Sequence, residues 1–363
     1  VLQPDKIDSN IVSEFYASIH TDKLGYWEEF YNLEPEDYHL LLGITKQSVL
    51  FAAQGIGFPH NYNRRAAIEK RGKTDLITPL YGDDLTGYDF VASIKMWMRQ
   101  SRNEAWSLAE VLLARGRSGV GMAALFISHI QAQPLEDTLN DVPDDVNLWL
   151  DYTTLRQCQD DFVPKKIYGT MRYTCEAHQG TIAIVDEPTL SYMSRSSCIC
   201  EVACTEPTKL RIQVSEATTQ LIIDRTVIID TRKADATNKT HNKYVDGFID
   251  GKWGGVAAFN RSVSEAFVAA HIQQLFVARN EAAVAGLSRL LTHDSSAARE
   301  KAFGALMNLA AESGLERPIW EAPGAATGLV RLLTDDGAGA REAAAGALHE
   351  EPGLRERARA AHL

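Results

Sequence analysis

Met122-Ala123-Ala124-Leu125-Phe126-Ile127 is a run of six apolar residues with no helical spacing, and Ser128-His129 ends it. A short continuous apolar run bounded by polar residues marks a strand covered on both faces. Four further runs follow: Val146-Asn147-Leu148-Trp149-Leu150, Thr181-Ile182-Ala183-Ile184-Val185, Leu210-Arg211-Ile212-Gln213-Val214 and Thr226-Val227-Ile228-Ile229. Between them Leu135 to Val142, Pro164 to Ala177, Tyr192 to Cys204 and Glu216 to Ile223 each suit a helix. Pro164 fits a first helical turn, where its missing N–H is not needed. Strands alternating with amphipathic stretches describe βα units on a parallel sheet. The pattern predicts an α/β domain over residues 118–235, a flavodoxin-like parallel sheet of five strands.

Upstream, residues 1–117 carry apolar positions at helical spacing, as in Ile11, Phe15 and Ile19, or Phe90, Ile94, Trp97 and Met98. Breaks at Gly55-Ile56-Gly57-Phe58-Pro59 and Gly82-Asp83-Asp84-Leu85-Thr86-Gly87 divide this amino-terminal region into roughly three to five helices. The aromatic groups near Trp27, Phe30 and Tyr31, and near Trp97 and Trp106, are most simply core.

Downstream, residues 236–280 are a connector with a Gly-rich loop, Gly251-Lys252-Trp253-Gly254-Gly255, and a helical run from Val263 to Phe276. In residues 281–363 alanine becomes abundant and the sequence repeats. Arg289-Leu290-Leu291-Thr292 recurs as Arg331-Leu332-Leu333-Thr334, Ala298-Arg299-Glu300 as Ala340-Arg341-Glu342, and Gly304-Ala305-Leu306 as Gly346-Ala347-Leu348, always 42 positions on. That period lies in the roughly 40–47-residue range of HEAT and armadillo repeats, in which each unit buries its apolar face on the next. The strings Gly304 to Ala310 and Glu321 to Ala325 resemble armadillo repeats in particular. Two repeats are fewer than the three or so of a free-standing solenoid. Either the pair docks on the α/β domain or the chain is truncated.

The chain has 363 residues, 45% of them hydrophobic and 23% charged, which excludes a collagen-like or wholly disordered protein and predicts two or three domains. A formal charge of -11 offers no broad basic surface, so neither nucleic acid nor an anionic membrane is an expected partner. The longest apolar stretches, such as Val120 to Ile127, fall short of the roughly 20 residues of a membrane-spanning helix. The first residues carry no signal-peptide pattern. Five cysteines, an odd number, do not make a secreted disulfide framework, and the expected compartment is the reducing cytoplasm.

The string Tyr192-Met193-Ser194-Arg195-Ser196-Ser197-Cys198-Ile199-Cys200-Glu201-Val202 resembles the Tyr-x-x-Ser-x-Trp-Cys-x-x-Glu-Leu pattern of TIR domains, the Toll/interleukin-1 receptor-type modules. Arg195 stands at the pattern's serine and Ser197 at its tryptophan. Phe126-Ile127-Ser128-His129 is similar to that family's first strand end, and Leu148-Trp149-Leu150-Asp151 to its second. The combination also resembles a TIR-like branch found in protist and algal proteins, and the likeness covers residues 120–235.

This resemblance implies a cytoplasmic signalling or scaffold protein that works by protein–protein interaction. The TIR-like domain would self-associate, the armadillo-like repeats would present a partner surface, and no cofactor would be required. In enzymatically active TIR domains the helix glutamate cleaves NAD at its nicotinamide bond. The resemblance therefore carries an alternative, an NAD glycohydrolase with NAD as substrate and Glu201 as its catalytic carboxylate. A fixed carboxylate beside the ribose stabilises an oxocarbenium-like transition state. Ser128, His129, Asp151 and Ser197 would then line the binding crevice, because ligands of open α/β sheets bind outside the carboxyl ends of the strands.

Three other constellations lead to simpler expectations. Cys198, Cys200 and Cys204 are expected as buried small side chains with no metal, since residues two apart on a helix do not share a face. Gly116-Arg117-Ser118-Gly119-Val120-Gly121 precedes a strand and is a turn, not a dinucleotide loop. Ser128, His129 and Asp151 do not make a hydrolase triad, because neighbouring strand residues point to opposite faces.

Overall fold

The computed structural model describes residues 9–19, 33–56, 85–159, 161–177, 179–186, 190–213, 230–234, 239–293, 295–313 and 325–334, with a few single positions besides. They form two compact units, one within residues 1–218 and 228–260, the other within 261–363.

The first unit is built on a sheet ordered β2-β1-β4-β3-β5-β6. Its strands are β1 Leu42–Ile44, β2 Val120–Met122, β3 Leu125–Ser128, β4 Leu148–Trp149, β5 Thr181–Ile184 and β6 Leu210–Gln213. Strands β4, β3, β5 and β6 run parallel, whereas β1 is antiparallel to both β2 and β4.

The protein is α/β, but two expectations about the sheet change. It is mixed and six-stranded, because the stretch expected to be helical supplies β1. Gly43 permits this insertion: a Cβ there would lie 2.8 Å from the Leu148 carbonyl oxygen and 2.9 Å from Ala123 Cα, so only glycine lets the backbones come this close. The run Met122 to Ile127 is also not one strand. Ala123 N–H bonds to the Leu41 carbonyl and Ala124 N–H to the Asn147 carbonyl, each at 2.8 Å. The extended chain thereby leaves β1 and joins β4. The expected strand Thr226–Ile229 and the helix Glu216 to Ile223 lie outside the described residues, as do Trp27, Phe30 and Tyr31.

Ten helices of the described chain belong wholly or partly to this unit: α1 Ser9–Ala17, α2 Lys46–Ile56, α3 Gly87–Gln100, α4 Leu108–Ala114, α5 Leu135–Leu139, α6 Asp151–Thr154, α7 Pro164–Ala177, α8 Ser196–Cys204, α9 Lys239–Trp253 and the first turn of α10 Val256–Ala278. Helices α3 and α4 begin at capping boxes, Thr86 with Asp89 and Ser107 with Glu110. Each box satisfies two N–H groups that a helix start leaves orphaned. Phe90, Ile94, Trp97 and Met98 are all buried, and they share one core with Ile44, Leu125, Ile127, Leu148 and Ile182. The opposite face of the sheet buries Phe126 and Trp149 with Ile167 and Met171. Trp149 stacks on Phe126 at 4.5 Å and donates its indole N–H to the Leu40 carbonyl at 2.8 Å. Cover on both faces is why the central strands are apolar except at their ends, where β3 closes on Ser128 and β5 opens on Thr181.

The Gly-rich loop of the connector is shorter than expected. Gly251, Lys252 and Trp253 complete α9, and only Gly254 and Gly255 turn, both at positive φ.

In the second unit α10 continues, followed by α11 Glu281–Leu290, α12 Ser296–Ser313 and α13 Ala325–Leu333. Asn280 caps α11 by accepting the Ala283 N–H at 2.8 Å. The 42-residue sequence repeat has a local structural counterpart. Arg289 and Arg331 sit in the last turns of α11 and α13, and the hydroxyls of Thr292 and Thr334 donate back to their carbonyls at 2.8 and 3.0 Å. Leu287, Leu291, Leu306, Leu329 and Leu332 fill the core between these helices. Gly346-Ala347-Leu348 lies outside the described residues. Among the described residues no helix is long and apolar enough to cross a membrane.

Candidate functional site

The carboxyl ends of β3 and β4 meet the start of α8 in the first unit. Ser128 is the last residue of β3 and His129 follows it. Asp151 does not end the second parallel strand, as its position suggested. It lies beyond Leu150 and opens the short helix α6. Ser197 is in the first turn of α8, with Glu201 one turn further on.

Ser128 and His129 diverge, as adjacent strand residues must. Ser128 is fully buried. Its hydroxyl donates to Glu201 Oε2 at 2.5 Å and lies 2.5 Å from the Tyr192 hydroxyl. Burial lifts the Glu201 carboxyl to about 7, the Ser128 hydrogen bond and the His129 charge pull it back, and Asp151 adds to the rise. Glu201 keeps partial solvent access, so this enclosure is by close neighbours and not by complete exclusion of water. A carboxyl that titrates near neutrality can give or take a proton under ordinary conditions.

His129 points the other way. Its Nδ1 lies 3.2 Å from the Ile127 carbonyl, its ring meets Tyr152 edge to face, and its Nε2 lies 3.4 Å from Asp151 Oδ1. That is ion-pair distance, yet both atoms are buried without a well-aligned hydrogen bond. Burial opposes a charge on His129, but Asp151, the Ile127 carbonyl and Glu201 outweigh it and hold the imidazole above its ordinary value. Gln131 donates its side-chain N–H to Asp151 Oδ2.

A crevice of about 280 Å³ opens at these strand ends. His129, Asp151 and Ser197 line it, together with Lys95, Arg156, Asp161 and Arg195. Ser128 and Glu201, expected on the same wall, are not among its lining residues. They are hydrogen-bonded to each other. Three of the five sequence-derived site residues therefore share the crevice and the other two form a separate pair. Arg156 and Asp161 belong to no motif of the sequence, and Tyr192 enters only as the first residue of the TIR-like string. Their places depend on contacts with Glu110, His39 and Ser128, each more than 40 residues away in sequence.

Cys198 and Cys200 are buried, and burial pushes both thiols well above their ordinary range. Cys204 is only partly buried, against expectation. Among the described residues no three His, Cys, Asp or Glu side chains are grouped so as to hold a metal ion. Gly116 and Gly119 adopt positive φ in the turn before β2. No family model matches the chain, and no curated protein or solved structure is significantly similar to it.

Proposed function

We propose that this chain is a signalling protein that acts by assembly. Its first unit is a TIR-like, flavodoxin-like α/β module that associates with other proteins and with copies of itself, and its second is an armadillo-like helical surface for a protein partner. The observation that carries this reading is that the groups a hydrolase needs free are bound to one another. Ser128 and Tyr192 are fully buried, and the Glu201 carboxyl is held by the Ser128 hydroxyl. Two features support the module types. Counted in chain order, the parallel strands are arranged 2-1-3-4, the start of the flavodoxin-like order. The repeated Arg and Thr positions at the ends of α11 and α13 fit stacked helical repeats. The acidic balance favours protein partners in the cytoplasm over nucleic acid.

A second reading, an NAD glycohydrolase, is favoured by one observation: a carboxyl titrating near 7 lies on α8, one turn on from Ser197, which lines a strand-end crevice. In it Glu201 would turn towards the ribose and stabilise positive charge as the nicotinamide bond breaks. Nicotinamide release from NAD by the full chain at high concentration, alongside Glu201→Ala, tests both readings when the mass in solution is followed on the same samples. No release by either protein, with mass growing as concentration rises, bears out assembly. Release that disappears in Glu201→Ala establishes the hydrolase. A chain that is inactive and monomeric at every concentration sinks the self-association claim.

A further inference from the structure

We propose that Tyr192 is a positioning residue for Glu201: through the Ser128 hydroxyl it fixes where the carboxyl points and which hydrogen bond it accepts. The inference deepens the second reading, in which the Glu201 carboxyl is the reacting group.

Proton bookkeeping carries it. An ionised carboxylate only accepts, and a serine hydroxyl has one proton to give. With Glu201 ionised, Ser128 must donate to it, and Tyr192, 2.5 Å from Ser128 Oγ, must then donate to Ser128. With Glu201 protonated, the chain runs backwards. Glu201 donates to Ser128, Ser128 donates to the Tyr192 oxygen, and the phenol proton turns to the Cys198 carbonyl, 3.5 Å away. Both arrangements leave every buried hydroxyl satisfied; in the reversed one the Ser128 proton needs an acceptor of its own, and the Tyr192 oxygen supplies it. The phenol keeps its own proton throughout, because burial pushes it well above its ordinary range.

The backbone is built to deliver that phenol. Asp186 accepts the N–H groups of Ser191 and Tyr192 at 2.9 and 2.6 Å. Leu190, just before them, has φ 53, a left-handed conformation that a branched residue rarely adopts. Together they turn Tyr192 under the strand end, where it is fully buried. His129 from the end of β3, Asp151 from α6, Tyr168 from α7, and Cys198 and Cys200 on its own helix also face the carboxyl electrostatically. Among the described residues only Ser128 reaches it with a hydrogen bond, and Tyr192 backs that bond.

The test is an NMR titration of the full chain carrying ¹³C-carboxyl glutamate, with the Glu201 signal identified by its loss in Glu201→Gln. Ser128→Ala should raise the Glu201 midpoint by about one pH unit or more, Tyr192→Phe by a few tenths, and Ser128→Thr very little. Tyr168→Phe removes another buried phenol near the carboxyl without touching the relay and should shift it less than Tyr192→Phe. Tyr192→3-fluorotyrosine keeps the shape, makes a stronger donor and should lower the midpoint even where Tyr192→Phe does not fold. Equal shifts in Tyr192→Phe and Tyr168→Phe, or no response to the fluorinated side chain, would overturn the proposal. A chain that shows these shifts but releases no nicotinamide removes the second reading and leaves the relay standing.

Discussion

Two glutamates are enclosed in the first unit, and their surroundings differ in kind. Glu110, in the first turn of α4, has no exposed surface. Its Oε2 accepts the Ser107 N–H at 2.6 Å and Arg156 Nε at 3.1 Å, while its Oε1 accepts Arg156 Nη2 at 2.8 Å and the Tyr16 hydroxyl at 2.7 Å. Glu201 accepts one hydrogen bond, from Ser128, and no cation lies within ion-pair distance of it among the described residues. A buried carboxylate with four donors and a guanidinium is part of the scaffold, since neutralising it would leave those donors unmatched. One with a single neutral donor stays responsive to pH and to whatever enters beside it. Both are glutamates packed round by close neighbours, although Glu201 keeps partial solvent access, and it is the donor count that separates the structural from the functional candidate here.

The most severe way to break that contrast is to remove each carboxylate in turn. Glu110→Ala strands the Arg156 charge, deletes the α4 capping box and leaves the Tyr16 hydroxyl unpaired. The expected loss is about 3 kcal/mol, at the lower end of the range for splitting a buried pair because Arg156 keeps 21% of its side chain exposed. Glu201→Gln keeps an acceptor for Ser128 and sheds a poorly compensated charge. At pH 8 it should leave stability within about 1 kcal/mol of the parent or raise it. Urea unfolding of both variants decides the matter, and comparable losses would abolish the distinction.

The pH dependence of stability sharpens it. The folded Glu201 carboxyl holds its proton up to about 7, whereas an unfolded glutamate releases it near 4.3. Its contribution is therefore fully present below about pH 4.3 and is lost as the pH rises towards 7. His129, also raised, adds stability below about pH 6.5 that is lost as the pH passes through its folded value. Both slopes run the same way. The parent should lose about 1–3 kcal/mol between pH 4.5 and 7.5, partial solvent access to Glu201 limiting the figure. Glu201→Gln should flatten the lower half of that window and keep the slope above pH 6.5, which His129→Gln should remove. An unchanged urea-midpoint profile in Glu201→Gln would show that its carboxyl is ordinary.

The same contrast explains what could be read before the structure was known. The strands around Leu125, Leu148 and Ile182 are covered on both faces, and that shows in sequence as continuous apolar runs. β1 gave no such run of its own: three residues, one of them Gly43, follow a 3-10 helix over Pro35–Leu41 and merge with its leucines. The parallel part of the sheet was legible and its antiparallel edge was not, because pairing partners for so short a strand are chosen by tertiary contact. At the site, motif spacing placed Ser128, His129, Asp151, Ser197 and Glu201 at one end of the sheet. It could not tell which of them face open space, since that depends on the rotation of α8 about its axis and on the Leu190 turn that brings in Tyr192. Ser107-x-x-Glu110 is a readable capping box. Its partners Tyr16 and Arg156 come from 94 and 46 residues away and leave no local trace.

The smallest expected effect probes the best-satisfied atom of the pair. Tyr16 lies in α1, where Val12 is the buried residue, and its ring meets Tyr38 edge to face at 5.9 Å. Burial pushes its phenol above the ordinary range, with the Glu110 charge adding to the rise, so it acts as a neutral donor at every accessible pH. Tyr16→Phe keeps the ring contacts and deletes one of four donors to a carboxylate that remains paired with Arg156. The expected cost is about 1 kcal/mol, below the usual value for a hydrogen bond to a charged group because the remaining donors hold Glu110 in place. The change should be local as well as small. Amide exchange in α1 should speed up, while the sheet amides of β3 and β5 keep their protection, because α1 anchors through Tyr16 and Val12 and the sheet does not. A loss as large as that of Glu110→Ala would mean that the Tyr16 bond, and not the Arg156 pair, holds the Glu110 charge. The donor count would then have to be replaced by the identity of a single donor, the arrangement found at Glu201.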